Sequence, residues 1–193
     1  MARSATELRL GLFGGAFNPV HLGHLLAARA AKEALRLDEV VFIPTGAPAF
    51  AKDMLPVQLR LKLLRQALKG EKGYSIDTRE LKRQGTSFTV DTLREMRAER
   101  GAKAHLFFLL GADAALGLPK WKEAEKALRL ADFIVLQRPG LTRVEQSALR
   151  SICKSFGLNR LNIPQIEMSS SAIRKDISLG KSIHWFVPYY GRV

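Results

Sequence analysis

A single cysteine, Cys153, stands among 193 residues. One thiol cannot close an intramolecular disulfide or build a thiolate metal cluster, which excludes a disulfide-stapled secreted scaffold and fits a reducing compartment. An inert core thiol is the expectation. Apolar runs long enough to span a bilayer are absent too, and the opening MARSATELRL lacks the apolar centre of a secretory signal, so the cytoplasm is expected and a membrane is not. No tract rich in Pro, Gly, Ser or Gln suggests a disordered arm, and no internal repeat is visible. Acidic residues are scarce, 18 against 31 lysines and arginines, which gives a formal charge of +13. That balance suits polyanions, whether nucleic acid or nucleotide phosphates. The charge is scattered, however, and neither an RNP-type aromatic pattern nor zinc-finger spacing accompanies it, so charge alone does not choose between them.

What is present fits one globular domain over residues 1–193, with hydrophobic residues at 47% and charged ones at 25%. Strand-like runs alternate with helix-length amphipathic segments. The runs are LRLGLF (8–13), EVVFIP (39–44), YSID (74–77), HLFFLLG (105–111) and DFIVLQ (132–137), with a last one in LNRLNIPQIEM. Between them HLLAARAAKEALRL, VQLRLKLLRQALKG, TVDTLREMRAERG, WKEAEKALRLA and RVEQSALRSICKSFG carry apolar residues three and four apart. The last of these helices is expected to end on Gly157. This alternation predicts a single doubly wound, Rossmann-like α/β domain with a mainly parallel sheet, followed by a helical C-terminal segment in SSSAIRKDISLGKS.

The most informative stretch is GGAFNPVHLGH, residues 14 to 24, between the first strand and an alanine-rich helix. Gly14 and Gly15 would let the backbone bend and approach a ligand, and Pro19 would fix the chain before a helix starting near His21 or Leu22. A helix N-terminus is an anion site, and His21 and His24, three apart, would share one face of its first turn. Taken singly, paired glycines usually mark a turn and a histidine there usually caps or packs. Two ring nitrogens without further ligand spacing make no zinc cage, so no metal held by protein side chains is expected. The ordered combination is far more specific than a lone glycine-rich loop.

GGAFNPVHLGH resembles the signature of the HxGH nucleotidyltransferases, and further blocks are similar to the bacterial nicotinate mononucleotide adenylyltransferases over nearly the whole chain. These blocks are DEVVFIPTGAPAFAK, IDTRELKRQGTSFTVDTL, FFLLGADAALGLPKW and MSSSAIRKDISLGKSIHWFVP. The resemblance implies transfer of AMP from ATP to nicotinate mononucleotide, with magnesium bound mainly through ATP phosphates. It implies that His21, His24, Lys52 and Arg174 stabilise the phosphates. Gly14, Gly15, Ala16, Phe17, Gly111, Asp113, Ser170 and Ser171 would bind ATP, and Asn18, Thr86 and Trp121 the mononucleotide. Serines at a helix start, with Arg174 behind them, fit phosphate binding on physical grounds. Each residue keeps a plainer role beside this one: Trp121 as a helix anchor, Asp113 as a cap, Lys52 as one of many solvated lysines, Thr86 as a turn residue.

Asn18 replaces the family's usual aspartate and Ser171 its threonine, and both retain a hydrogen-bonding group. The usual Pro-Pro-His-Lys loop reads APAFAKD, with Phe50 near the place of the histidine. Other acceptors, such as nicotinamide mononucleotide or phosphopantetheine, remain alternatives, as does a basic nucleic-acid binder. The resemblance implies no nucleic-acid partner and is compatible with a homo-oligomer.

Overall fold

Stretches such as VVFI, LFFLL and FIVL carry apolar side chains at consecutive positions, so both faces of the strands they form must be covered. The computed structural model, which describes residues 7–46, 54–137, 141–163 and 168–188, places them in the middle of a parallel sheet. The strands are β1 (Arg9–Gly15), β2 (Glu39–Pro44), β3 (Tyr74–Ile76), β4 (His105–Gly111), β5 (Asp132–Gln137) and β6 (Asn159–Asn162). They lie in the order β3-β2-β1-β4-β5-β6, and every neighbouring pair is parallel. The helices are α1 (Leu22–Ala34), α2 (Val57–Ala67), α3 (Arg79–Lys82), α4 (Thr89–Arg100), α5 (Ala112–Leu116), α6 (Ala124–Leu128), α7 (Arg143–Phe156) and α8 (Ser170–Ser178).

Successive side chains of a strand point to opposite faces, and each face has its own core. Leu10, Leu12, Ile43 and Phe108 pack with Val90, Leu93 and Met96 of α4 and with Leu149 and Cys153 of α7. Phe13, Phe42 and Leu109 pack on the other side with Ala27, Ala28 and Ala31 of α1, Leu63 and Leu64 of α2, and Ile173 of α8. The result is a doubly wound, Rossmann-like α/β fold. Cys153 is buried, and burial pushes its thiol up, away from the reactive thiolate. No helix of the described residues is long and apolar enough to cross a membrane.

Strand order reverses between β1 and β4, because β2 and β3 extend the sheet one way from β1 while β4, β5 and β6 extend it the other. Sheets of this kind bind ligands outside the carboxyl ends of the strands at such a reversal. Gly14 and Gly15 of β1 and Gly111 of β4 stand at that place.

Several elements are shorter than their sequence pattern predicts. The helix expected over WKEAEKALRLA is confined to α6, preceded by a 3-10 turn at Leu118–Lys120 that contains Pro119. Proline there cannot continue a regular helix from α5. Among the described residues the last strand is only Asn159–Asn162, exposed at the sheet edge except for Leu161. α7 ends as expected, with Gly157 in the left-handed region at φ 64°.

Just after β2, Gly46 presses against the main chain of α3: a Cβ built on it overlaps the Glu80 carbonyl oxygen. The obstacle is backbone and cannot swing aside as a side chain would. Gly46→Ala is expected to destabilise the protein by about 1–3 kcal/mol, read as a shift of the urea midpoint at unchanged slope.

Candidate active site at the switch point

β1 runs straight through Gly14 and Gly15, and the chain turns only afterwards. The reversal falls at Phe17, whose φ is 43°, followed by a cis Asn18–Pro19 bond. The expectation that the glycines make the bend is therefore corrected: they supply room. A Cβ on Gly14 would lie 3.1 Å from the Phe108 ring, and one on Gly15 3.3 Å from the Phe17 ring. A bulky residue in the left-handed region is uncommon. Phe17 is buried and held there by edge contacts with Phe13 at 5.6 Å and with His24 at 5.2 Å between ring centres.

α1 begins at Leu22, with His21 as its N-cap. The two imidazoles lie 3.8 Å apart between ring centres, tilted by 33°, His21 buried and His24 half-buried. The His21 main-chain N–H donates to His24 Nδ1 at 3.3 Å, and the His24 N–H donates to the His21 carbonyl at 2.9 Å. A ring nitrogen that accepts carries no proton, so neutral His24 presents its N–H at Nε2. Gly23 makes this packing possible, since a Cβ there would stand 3.0 Å from the His21 ring. Its role escaped the sequence reading, although a glycine inside a helical first turn was a visible signal.

The start of α8 docks on the same loop. Ser169 caps the helix by accepting from the Ala172 N–H at 3.1 Å. Ser170 Oγ donates to the Pro19 carbonyl at 3.0 Å, across 151 positions of chain. Arg174 donates to the Asn18 carbonyl at 2.9 Å and to Ser171 Oγ at 3.3 Å. Asn18 is buried, and its side-chain oxygen accepts from the Leu55 N–H at 2.8 Å. The N-termini of α1 and α8 thus adjoin one loop, Ala16–Val20, and bring His21, His24, Ser170, Ser171 and Arg174 to one side of the sheet.

Beside Gly14 and Gly15 opens a cavity of about 280 Å³. It is lined by Gly111 and Ala114, by Ser87, Phe88 and Thr89, and by Trp121. Trp121 meets Phe108 and Phe133 edge-on at 6.2 and 6.4 Å. Thr86 is exposed, one residue before the wall made by Ser87–Thr89. Asp113 is exposed in the first turn of α5, and Gly111 is its N-cap. Lys52 and Phe50, with all of 47–53, lie outside the described residues.

Two buried ionisable groups escaped the sequence reading. Glu80 reaches the cavity wall, where burial pushes its carboxyl up, while the Thr92 hydroxyl at 2.8 Å and the charge of Arg83 oppose that. Arg83 in turn donates to Thr92 and Glu95, and Arg79 bridges Asp77 and Glu99, so charged bonds hold the segment that carries the wall. The second group is Arg60, only 1% exposed. Its signal was present: Arg60, Leu63, Leu64 and Ala67 fall at i, i+3, i+4 and i+7, the buried stripe of α2.

Known proteins match this arrangement along most of the chain. The cytidylyltransferase-like family model matches residues 12–176. A probable nicotinate-nucleotide adenylyltransferase of Thermus thermophilus is 37% identical over 181 residues, covering 94% of this chain and 92% of its own. The chain belongs to the nicotinate-nucleotide adenylyltransferase family. Another member, from a Thermoanaerobacter species, is 33% identical over 188 residues, 94% of this chain and 89% of its own. The fold is shared with the Plasmodium falciparum nicotinic acid mononucleotide adenylyltransferase solved in complex with NaAD, at a TM-score of 0.74 and 20% identity, over 92% of this chain and 87% of that one. The same Plasmodium enzyme in complex with APC gives a TM-score of 0.73. As a member of the adenylyltransferase family the chain is a nucleotidyltransferase.

Proposed function

We propose that this adenylyltransferase transfers AMP from ATP to nicotinate mononucleotide, forming nicotinate adenine dinucleotide and pyrophosphate. The observation that carries the proposal is the pair of hydrogen bonds, Ser170 to Pro19 and Arg174 to Asn18, that joins the α8 N-terminus to the loop entering α1. Two helix N-termini with two imidazoles and a guanidinium make a single anion-binding surface at the switch point.

In the reaction a phosphate oxygen of the mononucleotide attacks the α-phosphorus of ATP, and the bond to the β-phosphate bridging oxygen breaks. The attacking monoester has a second pKa of about 6, so it is largely a dianion at neutral pH and requires no general base. The protein contributes alignment and charge. His24 Nε2–H, His21, Arg174 and Lys52 donate to the phosphates, while Ser170 and Ser171 hold the β and γ groups through the main-chain N–H groups of the first turn of α8. The main chain of Gly14, Gly15, Ala16 and Phe17, with Gly111, lines the ATP site, and the Asp113 carboxylate accepts from ribose hydroxyls. The nicotinate ring enters the cavity against Trp121, Thr86 lies at its rim, and Asn18 faces the mononucleotide.

Among the described residues no group of three or more His, Cys, Asp or Glu could hold a metal. A magnesium ion bound through triphosphate oxygens and water would need no dedicated cage of protein side chains. When bound, the ion neutralises charge on the pyrophosphate leaving group.

The acceptor assignment is tested at Trp121. Trp121→Ala is expected to raise the KM for nicotinate mononucleotide about tenfold, equivalent to about 1.4 kcal/mol of lost ring contact, with the KM for ATP nearly constant. Equal rises in both KM values would remove the ring from this cavity.

A further inference from the structure

Buried cations usually face an anion, yet among the described residues no carboxylate is bonded to Arg60. Its Nε donates to the Leu55 carbonyl at 3.2 Å, Nη1 to the Ala16 carbonyl at 2.6 Å and Nη2 to the Thr45 carbonyl at 3.0 Å. All three acceptors are neutral main-chain oxygens. Burial pushes the guanidinium down from its ordinary value, yet arginine stays charged in proteins. An uncompensated buried charge is costly, and a leucine or methionine would pack this position of α2 without that cost.

The three carbonyls belong to the segments that frame the site: Ala16 follows β1, Thr45 follows β2, and Leu55 precedes α2. In a planar trans peptide the C=O and the following N–H point in opposite directions. Holding the Ala16 oxygen toward Arg60 therefore turns the Phe17 N–H away from α2, and the bond to a cation polarises that peptide and strengthens its N–H as a donor.

We propose that Arg60 is a positioning residue for the phosphates: it ties the main chain at Ala16, Thr45 and Leu55 together so that the Phe17 N–H faces the bound anion, and that anion balances its charge. This rests on the reading that phosphates bind across the Ala16–Val20 loop.

The test uses inorganic pyrophosphate as the probe, with thermal melting of the full chain and steady-state kinetics of Arg60→Gln and Arg60→Lys. Pyrophosphate is expected to raise the melting temperature of the wild type. Arg60→Gln is expected to bind it at least tenfold more weakly. Arg60→Lys keeps the charge and stays within about fivefold in affinity, but one ammonium cannot hold three carbonyls, so its kcat falls about tenfold. A wild type that does not respond to pyrophosphate overturns the phosphate reading and this inference with it. A wild type that responds, with Arg60→Gln responding equally, overturns the inference alone. If Arg60→Gln does not fold, Arg60→Lys decides: unchanged kcat, or a loss of affinity beyond fivefold, contradicts the proposal.

Discussion

His24→Ala is expected to lower kcat by about 100-fold or more while the protein stays folded. Loss of one fixed donor from a water-poor site where phosphate charge develops costs two to three powers of ten in comparable oxyanion sites. His24 is fixed in this way, because its Nδ1 accepts from the His21 N–H and its ring contacts those of His21 and Phe17. The stability loss should be near 1 kcal/mol, since the variant removes an N-terminal capping acceptor while Ala27, Ala28 and Ala31 still dock α1 on the sheet. His24→Asn separates the two effects. Asparagine can accept from the His21 N–H, so stability should return, but its short amide does not reach where Nε2 stood, so kcat should remain low. Near-normal turnover by His24→Ala would remove the imidazole from the mechanism.

Arg174→Ala is expected to reduce kcat/KM for ATP by about 100- to 1000-fold. A guanidinium gives strong charge-assisted bonds to phosphate, and here it also ties α8 to the Asn18 carbonyl. Both contributions vanish together in alanine. Arg174→Lys should recover about tenfold of the loss, because an ammonium supplies charge without the two-pronged geometry. Steady-state rates with ATP varied at saturating acceptor read this directly; an unchanged KM and kcat for ATP would place the triphosphate elsewhere.

How far the sequence carried differs from element to element, for physical reasons. The central strands were legible because burial on both faces leaves unbroken apolar runs such as LFFLL. The start of α1 was legible because proline, glycine and two histidines leave few alternatives. α3 and α5, with four and five residues, are too short to display a helical period, so nothing in the chain announced them. Phe17 was hidden for the opposite reason: a left-handed conformation is expected of glycine, and Gly14 and Gly15, separated from it by Ala16, drew the bend to themselves. The docking of Ser170 on Pro19 is a contact across nearly the whole chain, and no local pattern encodes it. Thr86 is exposed, and the residues that line the cavity are the three after it.

Glu80 and Arg60 carry a different lesson. A charged residue within an amphipathic pattern is ordinarily read as facing solvent, yet both are buried and bonded to the segments that shape the site. In α2 the helical stripe already contained the answer. In the TRELKRQG segment no periodicity exists to reveal it.

Adenylyl transfer to nicotinate mononucleotide is read by pyrophosphate release with ATP and magnesium, comparing nicotinate mononucleotide, nicotinamide mononucleotide and phosphopantetheine at equal concentrations. Release with nicotinate mononucleotide is expected to dominate and to be matched mole for mole by the dinucleotide. Release only with phosphopantetheine, or with none of the three, would contradict it.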